Sequence, residues 1–193
     1  MSPPAVDHYE EPRPAPGPLL LVQSFVNTLD VAADIDVLAD AESGAAWLRD
    51  SGLVGPTEPA GPQELRSARA AREAMRALLL CNGHGPAPDA DAIRPLTALA
   101  QSARLQLAVG PAGQVELGAG QPGRLANGLL RLLLIVRDAQ QDGTWPRLKV
   151  CRNDECQWAF YDRSNSRRGA WCDMAICGNV IKNRNLRARR SGK

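Results

Sequence analysis

The sequence predicts a mostly α-helical body carrying one β-hairpin, with a small four-cysteine domain at its C-terminal end. Three observations carry this expectation. Apolar residues recur at helical spacing in several stretches, one stretch alternates with period two around a Gly-rich turn, and four of the five cysteines fall between Cys151 and Cys177. With 193 residues, 44% hydrophobic and 23% charged, the chain has a globular composition and room for one medium domain with an appendage.

Residues 1–18 contain six prolines and almost no bulky apolar side chains, which predicts a disordered tail. Residues 19–146 form the body. "LLLVQSFVNTLD", Leu19 to Asp30, is too short for periodicity to separate helix from strand and is assigned to helix. "DAESGAAWLRDSGL" predicts a short helix bearing Trp47 and Leu48 and ending at Gly52. The clearest helix starts at Pro62, carries Leu65, Ala68, Met75, Leu78 and Leu79 on one face, and stops at Gly83. Residues 88–103 read as another helix, in which Pro95 forces a kink or a late start. In "RLQLAVGPAGQVELGAG" the period changes: Leu105, Leu107 and Val109 alternate, Gly110 to Gly113 turn, and Val115 and Leu117 alternate again, which predicts a hairpin. Helical spacing returns through Leu125, Leu129, Leu132, Leu133 and Val136 up to Gly143. Trp145-Pro146 then marks the boundary to a terminal module, residues 147–193.

The net charge of +2 conceals an asymmetry. From Arg147 to Lys193 there are 12 Lys and Arg against 4 Asp and Glu, a net of +8, whereas the other residues carry 11 against 17, a net of −6. A basic end on an acidic body points to a polyanion met by that end. The longest nearly apolar run, Leu125 to Val136, is interrupted by Asn127, Gly128 and Arg131 and falls short of the ~20 residues of a membrane span. The N-terminus lacks a basic start followed by an apolar stretch, so the expectation is a cytoplasmic protein without membrane attachment. No Ser-His-Asp set, phosphate-binding Gly loop or paired-carboxylate motif is visible, and His8 and His84 lie in loop-like contexts, so no enzyme is expected.

The cysteines follow C-x4-C-x15-C-x4-C, as Cys151, Cys156, Cys172 and Cys177. Two pairs joined by a finger-length loop can place four thiolates around one Zn²⁺, and an all-thiolate shell leaves no open position for catalysis, so the expected metal is one structural zinc. Two disulfides would need an oxidising compartment, and an iron–sulfur cluster also takes four cysteines; zinc is favoured over both. Cys81, at the end of an apolar helix, reads as a small core residue. Trp158, Phe160 and Trp171 are expected to pack around the metal, and Asp162 and Ser164 to bond the backbone of the loop between the pairs. Such a module is expected to have its own core, so that Cys156→Ser unfolds residues 147–180 and leaves the body intact. Beyond Ile181 the only large apolar side chain is Leu186, which predicts a tail that frays unless a polyanion neutralises it.

Taken together, "C-x4-C-x-W-x-F-Y-D-x-S" from Cys151 to Ser164, "W-C-x-M-x-x-C-G-N" from Trp171 to Asn179, and "FVNTLD" from Phe25 to Asp30 resemble the bacterial CGNR zinc-finger proteins with an N-terminal ABATE domain. The resemblance covers nearly the whole chain after the tail. It implies a mostly helical N-terminal domain, a zinc-bound C-terminal domain and a role in stress-induced transcription control. The tetrad that gives the finger its name reads Cys177, Gly178, Asn179, Val180 here, with valine in place of arginine. Gly169 and Ala170 stand where the family usually has basic residues, and Leu186 where a histidine is common.

The functional expectation is a DNA-binding transcription regulator whose basic side chains dock on phosphates, the candidates being Arg167, Arg168, Lys182, Arg184, Arg187, Arg189 and Arg190. The alternatives are a zinc-dependent protein-interaction or dimerisation module and an RNA-binding protein. A second copy of the chain and a small-molecule effector are further candidate partners. For the effector, Asn27, Thr28 and Asp30 are candidate pocket residues, set beside an apolar run.

Overall fold

Leu19–Val26 forms α1, and every side chain in it except Leu20 is buried, Gln23 and Ser24 included. A helix enclosed on all sides has no polar face, so its sequence shows no period. The computed structural model describes residues 11–83, 85–102, 105–119 and 123–191. α1 ends four residues earlier than the sequence suggests: the Thr28 hydroxyl donates to the Phe25 carbonyl at 2.8 Å, and Leu29–Asp30 (β1) turns back to pair with Ile35–Asp36 (β2). Strands of two residues are too short for alternation to signal them.

Ala41–Asp50 forms α2, capped by Asp40, whose carboxylate accepts from the backbone of Glu42 and Ser43. Pro62–Asn82 forms α3, with Pro62 in the first turn and Glu64 reaching back to the Gly61 N–H. Its Leu65, Ala68, Met75 and Leu79 are buried as the spacing predicts. Ala90–Ser102 forms α4, which runs through Pro95 rather than starting after it and buries only Leu96. Leu105–Val109 (β3) and Val115–Ala119 (β4) form the expected hairpin, with Gly113 at positive φ in its turn. Leu125–Gln141 forms α5, where Gly128 lets the helix approach residue 53: a Cβ there would sit 2.0 Å from the Leu53 carbonyl oxygen.

α1, α3 and α5 pack against one another around Val22, Phe25, Val26, Met75, Leu79, Leu129 and Leu132, with Trp47 and Leu48 of α2 joining them. Leu148–Val150 (β5) and Ala159–Tyr161 (β6) pair antiparallel, Val150 opposite Ala159. Their Leu148, Val150, Ala159 and Tyr161 belong to the same core as α1 and α3. The core thus runs across the expected boundary at Trp145-Pro146: Trp145 is itself in that core, and Asn82 of α3 donates to the carbonyls of Trp145 and Leu148, both at 2.9 Å.

Residues 11–18 also depart from the expected tail. The Tyr161 N–H donates to the Arg13 carbonyl at 3.0 Å, Ala15 is buried, and its N–H donates to Gln23 Oε1 at 2.7 Å. A proline-rich segment with few side chains to bury is held here through its backbone, which composition does not register. Residues 1–10 lie outside the described residues, as does His84.

Candidate metal centre and nucleic-acid interface

The four-cysteine site is built from two turns, each fixed by an amide or carboxylate. After β5, the Asn153 carbonyl accepts from the Cys156 and Gln157 N–H groups and its side chain accepts from the Glu155 N–H, while Gln157 takes φ 51° to close the turn. In the second, Asp173 accepts from Ala175 and Ile176 with its carboxylate and from Cys177 and Gly178 with its carbonyl, shaping a single wide turn over Met174–Gly178. Cys151, Cys156, Cys172 and Cys177 are all buried, and their sulfurs lie within 4.8 Å of one another.

Two edges of this cluster, Cys156 Sγ to Cys172 Sγ at 3.6 Å and Cys172 Sγ to Cys177 Sγ at 3.7 Å, are too long for disulfide bonds. They match the ~3.8 Å edge of a tetrahedron with metal–sulfur distances of ~2.3 Å. Hydrogen bonds from Cys156 and Cys172 hold the Cys151 thiol far below its ordinary range, to about 2, and bonding to Cys151 pushes Cys156 up to about 12 and Cys172 upward as well. Four sulfurs this close share charge poorly among themselves, and a divalent cation removes that conflict. Backbone N–H groups of Cys172 and Asn153 point at Cys151, that of Trp158 points at Cys156, and the Asn153 amide lies 3.8 Å from Cys177 Sγ. These donors fit a thiolate shell, and the residues present fit one structural zinc. Trp158 and Phe160 are buried against the cysteines, with Trp171 partly buried beside them, as expected.

Asp162 holds the loop between the turns. Its carboxylate accepts from Lys149 Nζ at 2.8 Å, Gly169 N–H at 2.7 Å and Ser164 N–H at 3.0 Å, and both members of the Lys149–Asp162 pair are buried. Burial works against the Asp162 charge, but these bonds outweigh it and keep its pKa below the usual carboxylate range. Gly169 is required here, because a Cβ would lie 2.8 Å from that carboxylate. Arg167 and Arg168 are exposed on the same loop.

Asn179–Ser191 forms α6, which continues directly from the second cysteine turn. The expectation of a fraying tail takes no account of that start: forming the first turn is the unfavourable step in making a helix, and the cysteine turn performs it. Lys182, Arg184 and Arg187 are exposed on α6, and Arg184 pairs with Glu155 at 3.5 Å. Arg189 and Arg190 belong to α6, but their side chains, like that of Leu186, lie outside the described residues. Met174, Ile176 and Val180 are exposed around its start.

The candidate pocket residues are engaged in hydrogen bonds within the fold. Asn27 and Thr28 are 1% exposed. The Asn27 side chain accepts from the Ala159 N–H at 2.7 Å and donates to the Ala159 carbonyl at 3.0 Å and to Glu11, while Thr28 receives a bond from Arg72. Asp30 accepts from the Ala33 N–H in the β1–β2 turn. Of the three, Asn27 serves as a bracket for β6. Sequence reading also misses two buried arginines: Arg72 pairs with Asp36 at 3.0 Å through its second amino group, and Arg76 donates to the carbonyls of Val26 at 2.8 Å and Gln157 at 2.7 Å. Their position on the inner face of α3, spaced by four, is the available signal.

Helical body and closed four-thiolate site together define a protein built around a zinc finger. The chain belongs to the ABATE family, described as "Putative stress-induced transcription regulator", whose pattern matches residues 20–141, and the CGNR zinc finger matches residues 147–190. A search of curated proteins finds no match. Among the described residues, no helix is long and apolar enough to cross a membrane.

Proposed function

We propose that this chain is a DNA-binding transcription regulator in which the zinc module sets a basic helix against the phosphate backbone. The observation that supports this most directly is the placement of α6, whose first residue follows the cysteine turn and whose Lys182, Arg184 and Arg187 are exposed along its length. Its 13 residues span ~20 Å, and a helix of this kind fits the major groove of duplex DNA. Arg167 and Arg168 on the preceding loop, and Arg189 and Arg190 farther along α6, add further cations that suit phosphate oxygens. The thiolate shell offers no position for a substrate, so the zinc is structural and the reading includes no enzymatic step.

The test is a titration of the zinc-loaded protein on duplex DNA at several salt concentrations, beside a variant with Lys182, Arg184 and Arg187 changed to alanine. Every phosphate that the variant leaves without its cation should flatten the slope of log K against log salt by about 0.9. An unchanged slope, or no salt-dependent binding by the wild type, overturns the proposal; tighter binding to structured RNA than to duplex DNA redirects it to RNA. A protein partner is the second reading, favoured by Met174 and Ile176, which are 58% and 65% exposed at the base of α6.

The reading extends to an effector bound by the body. Since Asn27 is engaged with Ala159, Thr28 with Phe25 and Arg72, and Asp30 with the β1–β2 turn, the reading takes as its space a groove of about 840 Å³ between α3, α4 and α5, bordered by Ser67, Ala70, Pro95, Leu99 and Leu125. A small molecule bound there should raise the thermal midpoint of the wild type but not of an Ala70→Trp variant.

A further inference from the structure

The β3–β4 hairpin turns its apolar residues to solvent. Its register pairs Leu107 with Leu117 and Val109 with Val115, so that Leu105, Leu107, Val109, Val115 and Leu117 share one face while Gln106, Ala108 and Gly118 alternate onto the other. Leu105 is 50% exposed, Leu107 and Val109 74%, and Val115 68%. Only Leu117 is half-covered, where β4 runs along α5. Single exposed aliphatic residues need no explanation, but five on one face without a charge among them do.

We infer that this face is the contact through which two copies of the chain associate. The five side chains offer neither charge nor hydrogen bond, so the surface that covers them must itself be apolar, flat and of similar width. The chain carries such a surface in the hairpin itself. A two-fold axis near the Leu107–Leu117 pair lays the two aliphatic faces on each other at the ~10 Å spacing of stacked sheets, and the contact closes on itself without leaving a second face open. At roughly 100 Å² for each of the four exposed side chains, two copies cover about 800 Å², to which Leu117 adds a part, the size of a weak interface that forms and parts with concentration. A two-stranded ribbon is marginal alone, so the hairpin gains order from the same contact. Nothing in this inference depends on whether α6 binds DNA, because the face belongs wholly to the body.

The experiment is sedimentation velocity on the full zinc-loaded chain over a wide concentration range. The wild type should pass from the 20.7 kDa chain mass to twice that mass as concentration rises. Leu107→Asp, and separately Val115→Lys on the other strand, should weaken association by more than about tenfold, as a charge at the centre of an apolar contact does. Ala108→Glu, on the opposite face, should leave the dimer unchanged. Zinc content and helical circular dichroism verify that each variant is folded. A wild type that stays at the chain mass throughout, two face variants that dimerise like the wild type, or an Ala108→Glu variant that dissociates equally, each overturns the inference.

Discussion

The two cysteine turns supply the same kind of ligand yet are anchored in different ways. The first is flanked by β5 and β6, whose Leu148, Val150, Ala159 and Tyr161 sit in the body's core, and it is bracketed by side chains from α3 and from the residue that ends α1: Asn27 on Ala159, Arg76 on Gln157 and Asn82 on Leu148. The second is followed by α6, whose packing is against its own preceding turn. Its links elsewhere are few, among them Arg13 to the Trp171 carbonyl at 3.3 Å and the exposed pair Arg184–Glu155. The zinc site thus ties a projecting helix to a hairpin that already belongs to the body. Beside the small core of Trp158, Phe160 and the cysteines, β5 and β6 are held by the body's core, so loss of metal should release α6 rather than unfold the module as a unit.

The sharpest way to break this comparison is Cys177→Ser. Structural zinc contributes ~10–16 kcal/mol of binding free energy, so removing a ligand should abolish tight binding of the single ion, measured by elemental analysis. Hydrogen exchange should then show α6 unprotected while Val150 and Ala159 stay protected; equal loss in both would show that the halves do not differ. Next in size is Lys149→Met, which leaves the Asp162 carboxylate buried without its cation and should cost about 3–5 kcal/mol in denaturant unfolding at neutral pH. Its pH dependence has a fixed sign. Asp162 has a folded-state pKa below its unfolded value near ~3.9, so its contribution is complete above that value and is lost as pH falls below it. The stability gap between wild type and Asp162→Asn should therefore hold steady at neutral pH and close only as pH drops through the carboxylate range.

Asn27→Ala probes the body's side of the bracket. It strips the Ala159 N–H of its side-chain partner and should lower stability by ~1–3 kcal/mol, read from the denaturation midpoint, with zinc content unchanged. A zinc loss in this variant would mean that the first turn depends on the metal as much as the second does. The smallest effect belongs to Arg184→Ala, whose exposed pair with Glu155 contributes at most ~1 kcal/mol, so unfolding should barely move while the salt dependence of the proposed DNA binding flattens.

What the sequence discloses is local. The cysteine spacing shows the metal site because each turn closes within a few residues, and α3 is readable because Leu65, Ala68, Met75 and Leu79 mark one buried face. The β3–β4 hairpin is readable from alternation alone, although its exposure is not. What stays hidden depends on distant backbone. Asn27 resembles a pocket residue because its partner, Ala159, lies 132 positions away, and the segment around Arg13 reads as disordered because its bonds are made by peptide groups that every residue carries. Arg72 and Arg76 fall on the inner face of an otherwise apolar helix, where a helical period marks them as exceptions without naming what they bond.

The bracket between Asn27 and Ala159 also sets an order of events during synthesis. The first helix leaves the ribosome long before the strand that completes its hydrogen bonds, and at ~5–20 residues per second the chain takes roughly 7 to 26 s to grow the 132 positions from Asn27 to Ala159. Throughout that interval Gln23 and Asn27 lack their Ala159 partner, and the core lacks Leu148, Val150, Ala159 and Tyr161. A nascent body in this state exposes apolar surface, which makes it a client for chaperones, and a chain terminated before Ala159 should be cleared by proteolysis rather than persist as a metal-free helical fragment.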